Sequence, residues 1–417
     1  MNALSRETMD FSTVNHSVLE RLCAAQPMLV GIALARDVIP GMHPHLVLHA
    51  GPPVAWENMA SAMRAAVCGG LLLEGLCDTI EEAETLAGSG AIRFAPAHDH
   101  HAAGAMAGII TASMPVFIVE EQNSGLRAYA SINEGLGKAL RFGANGPEVI
   151  DRLRWMRDDF HPLLQAALAK VGPMDLKAMA AEALRRGDEV HNRNKSATSQ
   201  FFREIAPAFV ATRAPYEPLE KALRFISGND HFFLSLSIAH AKATSLYVEQ
   251  MGQGSVVTVM AGNGVEVGIR VNALGKRWFT APASVANLKL FAGHTLDEAT
   301  PTMGDSYITE SIGLGAFALA AAPAIASFIG GTVEELLQRS ETMRRITVGE
   351  HSTFRIPALG YRGVPCAIDV GKVVETGIAP LINTGIASNV AGVGQIGAGV
   401  QEIPMECFVK AAEALGS

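Results

Sequence analysis

Ala91-Ile-Arg-Phe-Ala-Pro-Ala-His-Asp-His-His101 runs into Ala102-Ala-Gly-Ala-Met-Ala-Gly-Ile-Ile-Thr-Ala-Ser-Met-Pro115 and then into Val116-Phe-Ile-Val-Glu-Glu121. Two short apolar runs bounded by punctuation read as buried strands, and a loop rich in glycine and alanine joins them. Three histidines and an aspartate stand where the first run ends, and paired carboxylates where the second ends. Strands hold such polar residues still, which suits them to meet a ligand.

Upstream, residues 12–25 read as an amphipathic helix and Leu46-Val-Leu-His49 as a strand end entering Ala50-Gly-Pro-Pro53. A helix pattern runs from Ala55 to Leu76, and Thr79 can cap the next helix ahead of Glu81 and Glu82. Downstream, Arg127–Ile132 reads as a strand and Asn133–Gly143 as a glycine-broken helix. From Pro147 to Gly252 helix follows helix, punctuated by prolines. Strands return after Gly254, where Ser255–Met260 and Val265–Val271 flank the turn Ala261-Gly-Asn-Gly264. The expected fold is α+β, with two α/β domains (1–146 and 254–417) around a helical middle domain (147–253).

The chain has 417 residues, 49% of them hydrophobic and 18% charged, enough for a large core. A net charge of −8 argues against nucleic acid as a partner, since no basic stripe is present to displace phosphate counterions. A few arginines can still create a local site for small anionic substrates. The five cysteines form no CxxC pair and suit a reducing compartment. Met1–Asp10 has no apolar core of a secretory signal. Ser311–Val333 carries no charge and is long enough to span a bilayer, but it is rich in Ala and Gly, with Pro323 near its centre, and reads as a buried helix. No membrane partner is expected, and the location is cytoplasmic.

Gly392-Val-Gly-Gln-Ile-Gly397 matches GxGxxG, but too little chain follows it for a dinucleotide-binding unit. Its N–H groups remain suited to another anion. His98-Asp-His-His101 leaves three readings open: His98 and His100 as metal ligands on one side of an extended strand, His98 as acid/base, or a capping loop. In Gly187-Asp-Glu-Val-His-Asn-Arg-Asn194, Glu189 and Arg193 fall at i, i+4, and that spacing favours a surface ion pair on a helix. Met303-Gly-Asp-Ser306 is placed to cap a helix with Glu310 in its first turns.

These blocks, with Asn133-Glu-Gly-Leu-Gly-Lys138, Arg141-Phe-Gly143, Arg154-Trp-Met-Arg-Asp158, Arg277-Trp-Phe-Thr-Ala-Pro282 and Val374-Glu-Thr-Gly-Ile-Ala-Pro-Leu-Ile-Asn-Thr-Gly385, closely resemble the oxamate carbamoyltransferase subunit family (AllG- or YlbE-like). They span nearly the whole chain in order. The resemblance implies phosphorolysis of oxalurate to oxamate and carbamoyl phosphate in anaerobic allantoin use. It also implies two further carbamoyltransferase subunits, one resembling an acyl-CoA synthetase subunit, and leaves room for a homo-oligomer. The histidine loop departs from the family pattern at His101, Ala105 and Ala107, which favours His98 over His101.

Carbamoyl transfer brings two anions together around a carbonyl, so it needs arginine forks, oxyanion donors and a group to protonate the leaving nitrogen. The expected catalytic residues are His98 and Glu121. The expected substrate-binding residues are Gly104, Arg141, Arg157, Arg270, Asn383, Gly394 and Gly397. No cofactor is expected beyond phosphate or carbamoyl phosphate as substrate, and no metal, with His98 and His100 as the alternative ligands. A metal-dependent amide hydrolase acting alone and a non-catalytic scaffold remain the competing classes.

Overall fold

The computed structural model describes residues 11–285 and 289–416, so the Met1–Asp10 signal question lies outside the described residues. The decisive stretch forms a short strand, Arg93–Pro96, and a long one, Pro115–Glu121. Arg93–Pro96 pairs in parallel with Leu46–His49, and the helices Ser61–Glu74 and Ile80–Gly88 make the crossover a parallel pair requires. Thr79 caps the second of these, accepting from Glu82 N at 3.1 Å, as the sequence suggested. The first helix is shorter than its pattern, because a separate 3₁₀ turn at Trp56–Asn58 precedes it.

Pro115–Glu121 enters an antiparallel sheet ordered Leu126–Ser131, Pro115–Glu121, Pro27–Leu34 and Met174–Asp175. A second antiparallel sheet contains the expected hairpin, Val257–Asn263 and Glu266–Val271, flanked by Met303–Gly304 and Phe279–Pro282. A third is ordered Lys289–Leu290, Gln395–Glu402 and Leu381–Ala387, and Thr347–Ile356 pairs with Arg362–Ile368. The fold class is α+β, as expected.

Helix Phe232–Glu249 is the axis of the molecule. Only Tyr247 and Glu249 along it escape full burial, so it is enclosed all round and carries almost no one-sided pattern. One hydrophobic core runs through it, including Val18, Phe117, Phe160, Phe232, Val259 and Ala387, and crosses residues 146/147 and 253/254, while a second, including Met260, Tyr307, Phe317 and Phe408, lies within 254–417.

Three local expectations give way. Asn133–Gly143 is a loop ending in the 3₁₀ turn Leu140–Phe142, since Gly135, Gly137 and Gly143 all take positive φ. Ser311–Val333 is a series of short 3₁₀ and helical turns, with Gly313, Gly315 and Pro323 preventing a continuous helix. No helix among the described residues is long and apolar enough to cross a membrane. The 187–194 segment is a buried loop between helices Leu176–Arg185 and Lys195–Ala211.

Candidate active site

The His98 turn and the Met303–Ser306 block meet. His98 sits in a 3₁₀ turn, Ala97–His100, so it does not share one face of an extended strand with His100. His98 Nε2 stands 3.2 Å from Asp305 Oδ1, whereas His100 Nδ1 lies 2.7 Å from the Pro40 carbonyl, so the two rings serve different partners. Burial, helped by Lys242 and Arg270, holds the His98 pKa below the ordinary value in spite of Asp305. A neutral, enclosed imidazole is poorly placed to donate protons at neutral pH.

Asp305 is a clamp. Its carboxylate accepts from Gly51 N at 2.7 Å and Gly104 N at 3.0 Å, and its own N–H donates to the Gly104 carbonyl at 3.0 Å. The Gly104 N–H expected to face an oxyanion is therefore engaged already. Gly104 is small for packing: a Cβ there would lie 2.6 Å from Gly108 Cα.

The arginines separate by what neutralises them. Arg157 forks onto Asp158 at 2.7 and 2.8 Å, and Arg270 donates to Asp99 at 2.6 Å with Trp278 against its guanidinium at 4.2 Å. Arg141 has no carboxylate within ion-pair distance among the described residues. It donates to the Gly135 carbonyl at 2.6 Å, lies over the Phe142 ring at 4.5 Å, and its shielded Nε makes no hydrogen bond. Burial lowers its pKa to about 10, against the opposing field of Glu134, so it stays charged at neutral pH. An enclosed cation lacking its anion is costly, and a substrate carboxylate or phosphate would relieve that cost.

A second buried cluster, whose His191 shares with Arg141 the electrostatic reach of His231, holds carboxylates with roles that spacing did not suggest. Glu310, fully buried, accepts from His191 Nδ1 at 2.8 Å, Asn383 N at 2.8 Å and Thr309 Oγ1 at 2.8 Å. Glu189, also fully buried, accepts from Arg193 N at 2.5 Å and His191 N at 3.1 Å. The expected surface pair is thus a buried carboxylate holding its own loop. Burial, with Glu310 adding to it, raises the Glu189 pKa to about 7. Burial alone would lower His191, but Glu310 and Glu189 outweigh it and the pKa lies above the ordinary histidine value. Val190 between them adopts φ 64° although it is β-branched, a strained geometry that the loop's contacts maintain.

Asn383 approaches Glu189, yet neither end of its buried amide makes a well-aligned hydrogen bond. Asn133 Nδ2, His231 Nδ1 and Gln395 Oε1 are likewise buried and unpaired. Native interiors leave few such atoms, and a group of them beside an unneutralised cation marks a place built for a polar ligand. Close backbone contacts lock it: a Cβ on Gly394 would lie 2.6 Å from the Gly137 carbonyl oxygen. On Gly385 it would lie 3.3 Å from Phe142 and 3.5 Å from both Gln395 and Met106.

In the Arg141 loop Gly137 packs against Gly394 and Phe142 against Gly385, two residues on from Asn383, while His98 and Gly104 meet Asp305 in the clamp and Arg270 pairs with Asp99. Gly397 packs within the sheet, where a Cβ would meet the Lys289 carbonyl at 2.7 Å. Glu121 accepts from Gln26 N, Asn123 Nδ2, Ser124 N and Ser124 Oγ, closing a turn with contacts outside both clusters. Glu189, His191 and Glu310 are the residues sequence reasoning passed over. Their signals were six polar residues among the seven of Asp188–Asn194, broken only by Val190, and a carboxylate, Glu310, opening an otherwise uncharged run.

Known proteins match the chain over nearly its whole length. The model of the family described as oxamate carbamoyltransferase subunit AllG matches residues 92–306. The oxamate carbamoyltransferase subunit AllG of Escherichia coli K12 is 41% identical over 404 residues, covering 96% of each chain. The uncharacterized protein YahG of the same organism is 44% identical over 400 residues, covering 96% of this chain and 85% of that protein. A crystal structure of a conserved protein of unknown function from Enterococcus faecalis V583 superposes with a TM-score of 0.95 at 42% identity, covering 97% of each chain. The chain belongs to the family of the oxamate carbamoyltransferase subunit AllG.

Proposed function

We propose that the chain is a catalytic subunit of a carbamoyltransferase that interconverts oxalurate plus phosphate with oxamate plus carbamoyl phosphate. Its partners would be two further subunits, one resembling an acyl-CoA synthetase subunit, in anaerobic allantoin and purine nitrogen breakdown in the cytoplasm. The observation that carries this reading is Arg141, an enclosed guanidinium without a carboxylate partner among the described residues, with His231 in electrostatic reach of both it and His191 of the His191–Glu310 pair.

In the phosphorolytic direction phosphate attacks the carbamoyl carbon of oxalurate, and the bond to the amide nitrogen breaks. Arg141 would hold the substrate carboxylate, which it can bind as a fork. His191, whose pKa Glu310 and Glu189 hold above the ordinary histidine value, would give its proton to the departing nitrogen, releasing oxamate. In the reverse direction the neutral imidazole would take that proton back. Phosphate and carbamoyl phosphate enter as substrates, and the scheme calls for no cofactor or metal.

The test is to mix oxamate and carbamoyl phosphate with this chain alone, with the two partners, and with the partners alone. Oxalurate is expected only from the full mixture. His191→Gln should lower its rate by about 10²–10⁴-fold, and Arg141→Ala should raise the KM for oxamate. No oxalurate in any combination sinks the reaction. Full rate from the partners alone makes this chain a scaffold, and full rate in both variants removes the site.

A further inference from the structure

Beside the candidate site lies a recess of about 190 Å³, lined by Asn192–Lys195, Asp230, His231, Leu136 and the turn around Ile325. That is room for about six waters or one small oxyanion. His231 forms its inner wall and lies within the electrostatic reach of both Arg141 and His191, so the recess adjoins the site described above. The Glu189 carboxylate joins the two, since it accepts from the backbone of His191 and of Arg193 alike.

Three polar atoms in this lining are buried without a protein hydrogen bond: Asn192 Nδ2, Asn194 Oδ1 and His231 Nδ1. Asn194 is 1% exposed and His231 9%. Asn194 is also in an unusual position. It precedes helix Lys195–Ala211, where an asparagine oxygen ordinarily accepts from the first helical N–H groups. Here Asp188 does that, accepting from Ala197 N at 2.9 Å, while Asn194 donates through Nδ2 to the His191 carbonyl. The Asn194 oxygen is left to the recess. Arg193 and Lys195 supply positive charge at its mouth. Lys195 and Asp230, 3.5 Å apart and both exposed, make a pair that yields readily to a better anion, while Arg193 lies 3.5 Å from the buried Asp188 and donates through Nε to the Gly187 carbonyl at 3.0 Å, its remaining N–H groups free to turn to a ligand.

We infer that this recess is the phosphoryl subsite, taking inorganic phosphate or the phosphoryl end of carbamoyl phosphate. Asn192 Nδ2, Arg193 and Lys195 meet the phosphoryl oxygens, and Asn194 Oδ1 accepts from an N–H or P–OH donor of the same ligand. This rests on the carbamoyl-transfer reading and divides its two anions: phosphate in the recess, the oxamate carboxylate on Arg141.

The direct test is calorimetric titration of the full chain with inorganic phosphate and, separately, with oxamate. Saturable phosphate binding is expected, weakened about tenfold by Lys195→Glu and by Asn192→Leu. Arg141→Ala should leave phosphate binding within about twofold and abolish oxamate binding. Thermal unfolding of each variant checks that the fold survives, and the exposed Lys195 position makes that the safer of the two. Phosphate binding that is absent from the wild type, unmoved by both recess variants, or lost with Arg141→Ala overturns the assignment. Phosphate binding with these responses, in a chain whose complex makes no oxalurate, would uphold an oxyanion site while ending the carbamoyl-transfer reading.

Discussion

Glu189 shows how burial can reverse what spacing implies. Four residues ahead of Arg193, it suits a helix-surface pair worth a few tenths of a kcal/mol. Sealed in a loop, it instead carries a pKa of about 7 against an ordinary 4.5. The folded protein therefore retains a proton at Glu189 between pH 4.5 and about 7 that the unfolded chain has released. Stability from this group is complete below 4.5 and is lost as pH rises through about 7. Glu189→Gln keeps a neutral side chain of similar shape at every pH. Melting temperatures across this window should fall less with rising pH in the variant than in the wild type. Asp188 remains in both proteins, while His191 loses part of its upward shift together with Glu189, so the difference between the curves reports the Glu189–His191 pair. Parallel curves would mean that Glu189 is ionised in the fold. Burial of this kind depends on contacts such as Gly315 N to the Glu189 carbonyl, 126 positions along the chain by subtraction, and local spacing contains no trace of them.

At the scale of elements, Met303–Ser311 does the work that the histidine loop was expected to do. Asp305 fixes the Gly51 and Gly104 turns, and Glu310 fixes His191 and Asn383. The strands on either side of the opening stretch were legible because apolar runs and their breakers are local signals, and the Thr79 cap was legible for the same reason. The clamp was not, because a histidine next to strand ends looks alike whether it faces solvent, metal or a buried aspartate. Asp305→Ala would strand two buried N–H groups and should cost about 2–6 kcal/mol. Asp305→Asn keeps one acceptor oxygen and should cost less. Urea unfolding midpoints measure both. A loss below about 1 kcal/mol in the alanine variant would show that water replaces the carboxylate and that Asp305 holds nothing in place. Because His191 and Arg141 lie outside the Asp305 contacts, phosphate affinity in the recess should change little in the asparagine variant.

For the whole molecule, one hydrophobic core packs across residues 147 and 254. Helix Phe232–Glu249 is made by the helical segment and buried by the rest: Phe232 meets Phe117 of the first sheet edge to face, and Ser245 Oγ donates to the Thr258 carbonyl of the second. A helix enclosed on every side cannot remain in water, since each large apolar side chain it exposes loses about 1.5–3 kcal/mol. Phe232, Phe233, Leu236 and Ile238 are all fully enclosed, which places most of the segment's apolar surface against its neighbours. The segment 147–253 expressed alone should therefore fail to fold and aggregate, whereas a self-contained domain would give a dispersed NMR spectrum. The same reasoning bears on heat. With one core shared by all three stretches, calorimetry of the full chain should show a single transition whose calorimetric and van't Hoff enthalpies agree. Two separated transitions would mean that the shared core is weaker than the cores within each stretch. That outcome would also loosen the candidate site, since Arg141, His191 and Asn383 come from three different stretches and keep their relative positions only while all three remain docked.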